Sequence, residues 1–293
     1  MVAYILLLIM VFVGSFGNIC TKLYRKNTGH TPVSDGFYYV ITLTTACTYF
    51  AFVSGFDLSI NTFTAVYSIM LALLAFLSIS ANLIAIENTD ILNVTLFSNS
   101  GAVVLPLLFN IAFLGDLPDI KIILGIIASL ASLFTPLYGV KKTKQGNIKG
   151  LIMCIMLFFI SGIDTVIMKL YSISPEAMSE SIFCFYGNVF MIPFVFFLIK
   201  RQIPVSQMFR ECRNMNKKSI LFAVLAVVSA NTVTLLSLIT ISKINLTLYL
   251  ILSNSLKMLV ISLMAMIVFK EYITKDKVLS MLFATVAIIL TVI

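Results

Sequence analysis

Apolar residues in this chain run in long stretches that cover every side of a helical turn, rather than one face or alternate positions. Ten such stretches stand out, at roughly 3–22, 36–55, 64–86, 91–114, 120–140, 149–170, 181–199, 219–241, 246–268 and 275–293. Each is close to the ~20 residues that an α-helix needs to cross the ~30 Å hydrocarbon core of a bilayer. Together they take up nearly all of the 293 residues, so no soluble catalytic or receptor domain fits into what remains. The expected fold class is all-α: a polytopic membrane protein of ten transmembrane helices. The opening run, Met1 to Cys20, lacks the positive flank of a cleavable signal and is long enough to span. It is read as a retained first helix.

The stretches also repeat. Ser98-Asn99-Ser100 precedes Asp116, eighteen residues after Ser98, and Ser253-Asn254-Ser255 precedes Glu271 at the same distance. Ser80-Ala81-Asn82 is echoed by Ser229-Ala230-Asn231, and Lys22-Leu23-Tyr24 by Lys169-Leu170-Tyr171. A basic run from Lys141 to Asn147 divides the two copies. The predicted organisation is therefore a five-helix repeat over 1–140, a basic linker over 141–148, and a second five-helix repeat over 149–293. Five is odd, so the second repeat must insert upside down relative to the first. Inverted repeats of this kind give many secondary transporters their two alternating gates.

Composition and charge sharpen this picture. Hydrophobic residues make up 60% of the chain and charged residues 11%, with a mean hydropathy of +1.07, which excludes an ordinary soluble domain. The net charge of +8 does not mark a nucleic-acid binder, because the basic residues lie between spans and beside acids. They set topology instead. Sixteen of the 20 Lys and Arg fall on one side of the expected bundle, from Lys22 through the 141–149 and 200–218 regions to Lys277. Lys121, Lys169 and Lys243 fall on the other. The basic side is expected to be cytoplasmic, with both termini outward. Trp is absent, so Tyr4, Tyr24, Tyr138, Tyr171 and Tyr272 are expected as interfacial anchors. Pro106 and Pro193 fall inside spans, where each removes a backbone hydrogen bond and can kink its helix.

Chemistry concentrates in few places. Lys257 sits near the middle of the ninth stretch, where the same offset in the first copy gives Ala102. A cation at that depth costs roughly 2.5–3.5 kcal/mol on insertion scales. It therefore needs a water-filled cavity or an anionic partner, and two readings follow: an anchor for an anionic substrate group, or a structural ion pair. Asn254 lies one turn before it on the same face. Asp164 is a carboxylate deep inside the sixth stretch. It is open to three roles: pairing with Lys257, carrying a coupling proton, or holding a substrate amine. Gly14, Asn18, Thr21 and Lys22 form one polar face in the first stretch, and Tyr38, Thr42, Thr45 and Tyr49 another in the second.

Enzymatic chemistry is not expected. The chain has no phosphate-binding glycine loop, nucleophile elbow, zinc-protease motif or dinucleotide fingerprint. A single histidine, His30, and five cysteines with no CxxC pair argue against a metal site, and no cofactor is implied.

These residues bear a family resemblance. Ten spans in two inverted halves, with Asp116 and Glu271 closing the fourth and ninth, resemble the drug/metabolite transporter (DMT) superfamily, EamA type. The stretch Asn254-Ser255-Leu256-Lys257 is similar to the ninth span of triose-phosphate and nucleotide-sugar transporters, where the resemblance implies that the lysine meets substrate phosphate. Phe185-Tyr186-Gly187-Asn188 is similar to a Phe-Tyr-Asn-Asn motif that holds the nucleotide in some of those carriers, with Gly187 in place of an asparagine. Met258 stands where phosphate translocators have arginine, and Ala102 where they have a second lysine. A single lysine suits a monoanion, such as the carboxylate of an amino acid, better than a doubly charged phosphate.

The functional expectation is a secondary transporter of a small polar metabolite bearing a carboxylate or phosphate, amino-acid-like or related, working by alternating access with export favoured. Its substrate-binding residues are expected to be Lys257, Asn254, Tyr186, Asn188, Asn18 and Asn231, with Asp164 as proton-coupling site or ion pair. A multidrug exporter and a lipid-carrier flippase are the alternatives. The expected partners are the substrate, the lipid of a bacterial cytoplasmic membrane and a coupling proton, with no nucleic acid. Monomer and homodimer both remain open.

Overall fold

The computed structural model describes residues 2–28, 31–89, 91–109, 112–113, most of 120–131, 148–202, 215–244, 246–269 and 275–292. Among them the regular structure is helical, with no strand. The helices are α1 (Val2–Thr28), α2 (Pro32–Val53), α3 (Thr62–Asn88), α4 (Ile91–Phe109), α5 (Ile148–Ile173), α6 (Glu180–Gln202), α7 (Lys217–Ile241), α8 (Leu246–Phe269) and α9 (Lys275–Val292). They fall on nine of the ten predicted stretches. In the remaining one, 120–140, the described residues from 120 to 131 are helical. The 141–147 linker run, Asp116, Glu271, His30, Cys212, Tyr138 and Tyr272 lie outside the described residues.

Among the described residues six helices, α1, α2, α3, α5, α6 and α7, are long and apolar enough to cross a membrane. Their outer faces are apolar, as a lipid surround requires. On α1, Ile5, Ile9, Phe12 and Phe16 are exposed at three- and four-residue spacing, and on α5 so are Ile152, Ile155, Phe159 and Ile163. In water such stripes would be untenable; in lipid they are the natural outer surface. The chain is an all-helical, multi-pass membrane protein.

Helix ends are set by local chemistry. Thr31 caps α2 through a reciprocal pair with Ser34, and Pro32 occupies the first turn, where its missing N–H costs nothing. Asn61 caps α3 by accepting from the Thr64 N–H, and Asn216 caps α7 by accepting from the Lys218 N–H. After α2 the chain turns through Gly55 and Phe56, both at positive φ. Asp57 then accepts from the Ser59 N–H and hydroxyl at 3.2 and 2.9 Å. Those two donors hold its carboxyl below its ordinary range. Pro106 and Pro193 sit inside α4 and α6, which continue through them.

Helix α1 packs on α7 and α8, α2 on α6 and α7, α3 on α5 and α6, α4 on α5 and α8, and α8 on α9. Lipid tails are as apolar as leucine, so burial alone cannot drive these contacts, and close backbone approach takes its place. A β-carbon on Gly101 of α4 would overlap the Phe158 carbonyl of α5. One on Gly162 would come within 2.6 Å of the Gly101 carbonyl oxygen. On the α1–α7 seam a β-carbon on Gly17 would stand 2.9 Å from that of Ser229.

Two of the tyrosines expected as interfacial anchors are enclosed by the protein instead. Tyr24 and Tyr171 are fully buried, because each hydroxyl finds a carbonyl inside the protein: Ser34 at 2.6 Å and Met178 at 3.0 Å. A satisfied phenol has no need of headgroup water.

Candidate functional site

The helices leave a cavity of about 430 Å³ inside the bundle, with walls drawn from α1 to α8. Its lining residues follow helical spacing. Helix α1 presents Gly14, Asn18 and Thr21, α3 presents Ala75, Ser78 and Asn82, and α5 presents Ser161, Asp164 and Met168. One side of each helix therefore faces inward while the apolar remainder faces neighbours and lipid.

The cavity gathers Lys257, Asp164, Asn18, Asn188 and Asn231 on one surface. They come from five different helices. Asn254 and Tyr186 are not on that wall. Asn254 is buried within α8, and the Tyr186 hydroxyl donates to the Leu58 carbonyl at 2.6 Å, tying α6 to the α2–α3 loop. The polar stripe of α2 divides likewise. Tyr38 and Thr42 line the cavity, whereas Tyr49 accepts from the Thr232 hydroxyl at 3.3 Å.

Within the described residues, no ion pair of 4 Å or less joins Asp164 to Lys257. Both side chains retain partial exposure although they lie deep in the bundle, because the cavity gives them room for water. That removes the need for direct pairing which a dry interior would impose. Some of the wall is already satisfied. The Ser161 hydroxyl donates to the Ser98 carbonyl at 2.6 Å, bridging α5 and α4. The Asn188 amide donates to the Cys184 carbonyl of its own helix at 2.8 Å, and Thr21 and Tyr38 share a contact of 3.4 Å.

Two amides on the wall are not. Asn99 and Asn231 are 7% and 8% exposed, and the side-chain nitrogen of each has no hydrogen-bond partner. A buried, unmade hydrogen bond costs roughly 1–3 kcal/mol, so such donors call for a ligand or water in the cavity. Asn99 and Asn82 were not singled out as site residues by sequence reasoning. The signal was present, since both belong to the repeated Ser-Asn-Ser and Ser-Ala-Asn motifs. Ser161 carried none beyond lying one turn before Asp164. The four described cysteines, Cys20, Cys47, Cys154 and Cys184, are free thiols.

No family model matches the sequence, and no curated protein matches it. In fold, a solved crystal structure aligns with 99% of this chain and 96% of its own length, with a TM-score of 0.69 at 12% sequence identity. At that identity the likeness is one of helix arrangement alone, extending over the full length of both chains.

Proposed function

We propose that the protein is a secondary transporter moving a small polar metabolite that bears a carboxylate or phosphate group. In this reading it works by alternating access, is of the DMT superfamily's EamA type, sits in a bacterial cytoplasmic membrane and exports. The observation that carries the reading is the cavity. It lies inside a membrane-spanning bundle, has the size of a small-molecule site (about 300–1,000 Å³), and holds both Lys257 and Asp164 on its wall. A protein that served as a scaffold in lipid would fill that space with apolar side chains and save the cost of both charges.

The packing of the helices supports the inverted five-helix repeat that such a mechanism uses. Let α1 to α4 exchange with α5 to α8 in order. The α1–α7 contact then becomes α5–α3, α4–α5 becomes α8–α1, and α3–α6 becomes α7–α2, all of which are present. The α2–α6 and α4–α8 contacts map onto themselves. In the ten-helix layout proposed here, the 120–140 stretch would be the partner of α9. Two halves related in this way pass a central site from one side to the other by rocking, each conformation being the other's near mirror in energy.

The test is counterflow in proteoliposomes against amino acids, sugar phosphates, nucleotides and quaternary amines, paired with thermal melting of the purified protein. A ligand that binds the folded state raises its melting point by mass action. Saturable exchange of an anionic or amino-acid solute, lost in Lys257→Met at unchanged melting temperature, is the expected result. Exchange confined to quaternary amines, or no saturable exchange of any solute, would overturn it.

A further inference from the structure

The geometry points to a zwitterion as the substrate: a small free solute with one anionic and one cationic group a few bonds apart and an uncharged remainder. This deepens the transporter reading above and rests on it. Lys257 of α8 and Asp164 of α5 line the same cavity, and among the described residues neither has a hydrogen-bond or ion-pair partner. Among the described residues the site thus presents one positive and one negative charge, neither answered by the other. A solute with an anion alone would answer Lys257 and bring a second negative charge up to Asp164; a solute with a cation alone would do the reverse at Lys257. A zwitterion answers both and leaves the cavity neutral, which is the least costly occupancy in low dielectric.

The rest of the wall fits the same solute. Asn99 and Asn231 also line the cavity, and their orphan amide nitrogens are donors without acceptors, the kind of group that suits anionic oxygens. Asp164 is an acceptor and takes the ammonium. Leu71, Leu74, Leu157 and Ile160 supply an apolar wall that selects against a further charge.

Matched triads test this directly by calorimetry on the full chain in detergent: leucine, 4-methylpentanoate and 3-methylbutylamine, then alanine, propionate and ethylamine. In each triad one molecule carries both charges, one only the anion and one only the cation. The expectation is that at least one zwitterion binds tenfold or more tighter than both of its single-charge analogues. Asp164→Asn should then shrink the preference over the acid to under threefold, and Lys257→Met the preference over the amine, with melting temperature as the control for folding. Equal binding of acid and zwitterion in the unmodified protein overturns the inference, as does failure of both zwitterions to bind. Binding of phosphatidylethanolamine presented in mixed micelles, with no displacement by either amino acid, overturns a free-solute site in favour of a lipid headgroup. Proteoliposome counterflow separates the two levels. Saturable exchange of a sugar phosphate or nucleotide, with no zwitterion exchanged, overturns the zwitterion and leaves the transporter standing. No saturable exchange of any solute overturns both.

Discussion

Tyr24 and Tyr171, 147 positions apart, fasten the ends of α1 and α5 in the same way. Each is the last residue of a Lys-Leu-Tyr triplet, and each is buried. Each hydroxyl donates to a carbonyl at the approach to the next helix or in its first turn, Ser34 for Tyr24 and Met178 for Tyr171. Tyr171 also shares a 3.2 Å contact with the Thr64 hydroxyl of α3 and stacks on Phe183.

Removing the Tyr24 hydroxyl leaves a buried carbonyl short of a donor, and removing that of Tyr171 a part-buried one. Tyr24→Phe and Tyr171→Phe should each destabilise the protein by about 1 kcal/mol, with Tyr171 at the upper end because it also loses Thr64. The two share no partner, so the double variant should show close to the sum. Thermal melting of the single and double variants checks both statements; a double variant no less stable than the singles would show that the two fastenings are not independent.

The α4–α5 seam should be the least tolerant of added volume. A methyl at Gly101 meets the Phe158 backbone carbonyl, which cannot move without its helix. Gly101→Ala should therefore cost roughly 1–3 kcal/mol or more. A methyl at Gly187 meets the Leu71 side chain, its Cδ2 at 2.7 Å. That tip can rotate, so Gly187→Ala should cost under about 1 kcal/mol. Melting temperatures of the two variants in the same detergent give the comparison, and the reverse order would contradict the close backbone contact.

Arg25 and Asp35 form an ion pair between α1 and α2 that is buried on one side only. The Arg25 side chain is 4% exposed and that of Asp35 32%. Asp35→Ala strands a buried guanidinium whose Nε already lacks a partner, and should cost about 2–3 kcal/mol after allowing for the exposure of the carboxylate. Arg25→Met leaves a carboxylate that water can reach and should cost under about 1 kcal/mol. Denaturant titration in mixed micelles resolves the difference; equal losses would mean that Asp35 is as dry as its partner.

The charge bias predicts the orientation. Cysteine at Ser59, in the α2–α3 loop, should react with a membrane-impermeant maleimide on intact cells, and cysteine at Gln145 should react only after lysis. Labelling of the 145 position from outside would reverse the assignment.

The spans and the buried charges were legible in the sequence for one reason: the bilayer acts as solvent. A backbone in lipid must bond to itself locally, so a run of about 20 apolar residues already specifies a helix. A lysine or aspartate inside such a run stands out against its cost. The inward faces were not legible to the same degree. Lipid-facing Ile5 and Phe12 and core-facing Leu7 and Val11 are all apolar, so on much of α1 the pattern does not tell core from outer surface. Tyr24 and Tyr171 read as interfacial anchors because only their position near span ends was visible; the carbonyls that bury them belong to the next loop and helix. Asn99 and Asn231 gain their meaning from the packing that seals them away from other partners. By itself the sequence determined the helical spans and the charges of Lys257 and Asp164. The tertiary structure decided that those charges share one cavity without touching, because that depends on how α5 and α8 rotate when Gly101, Gly162 and Gly17 let the neighbouring helices close.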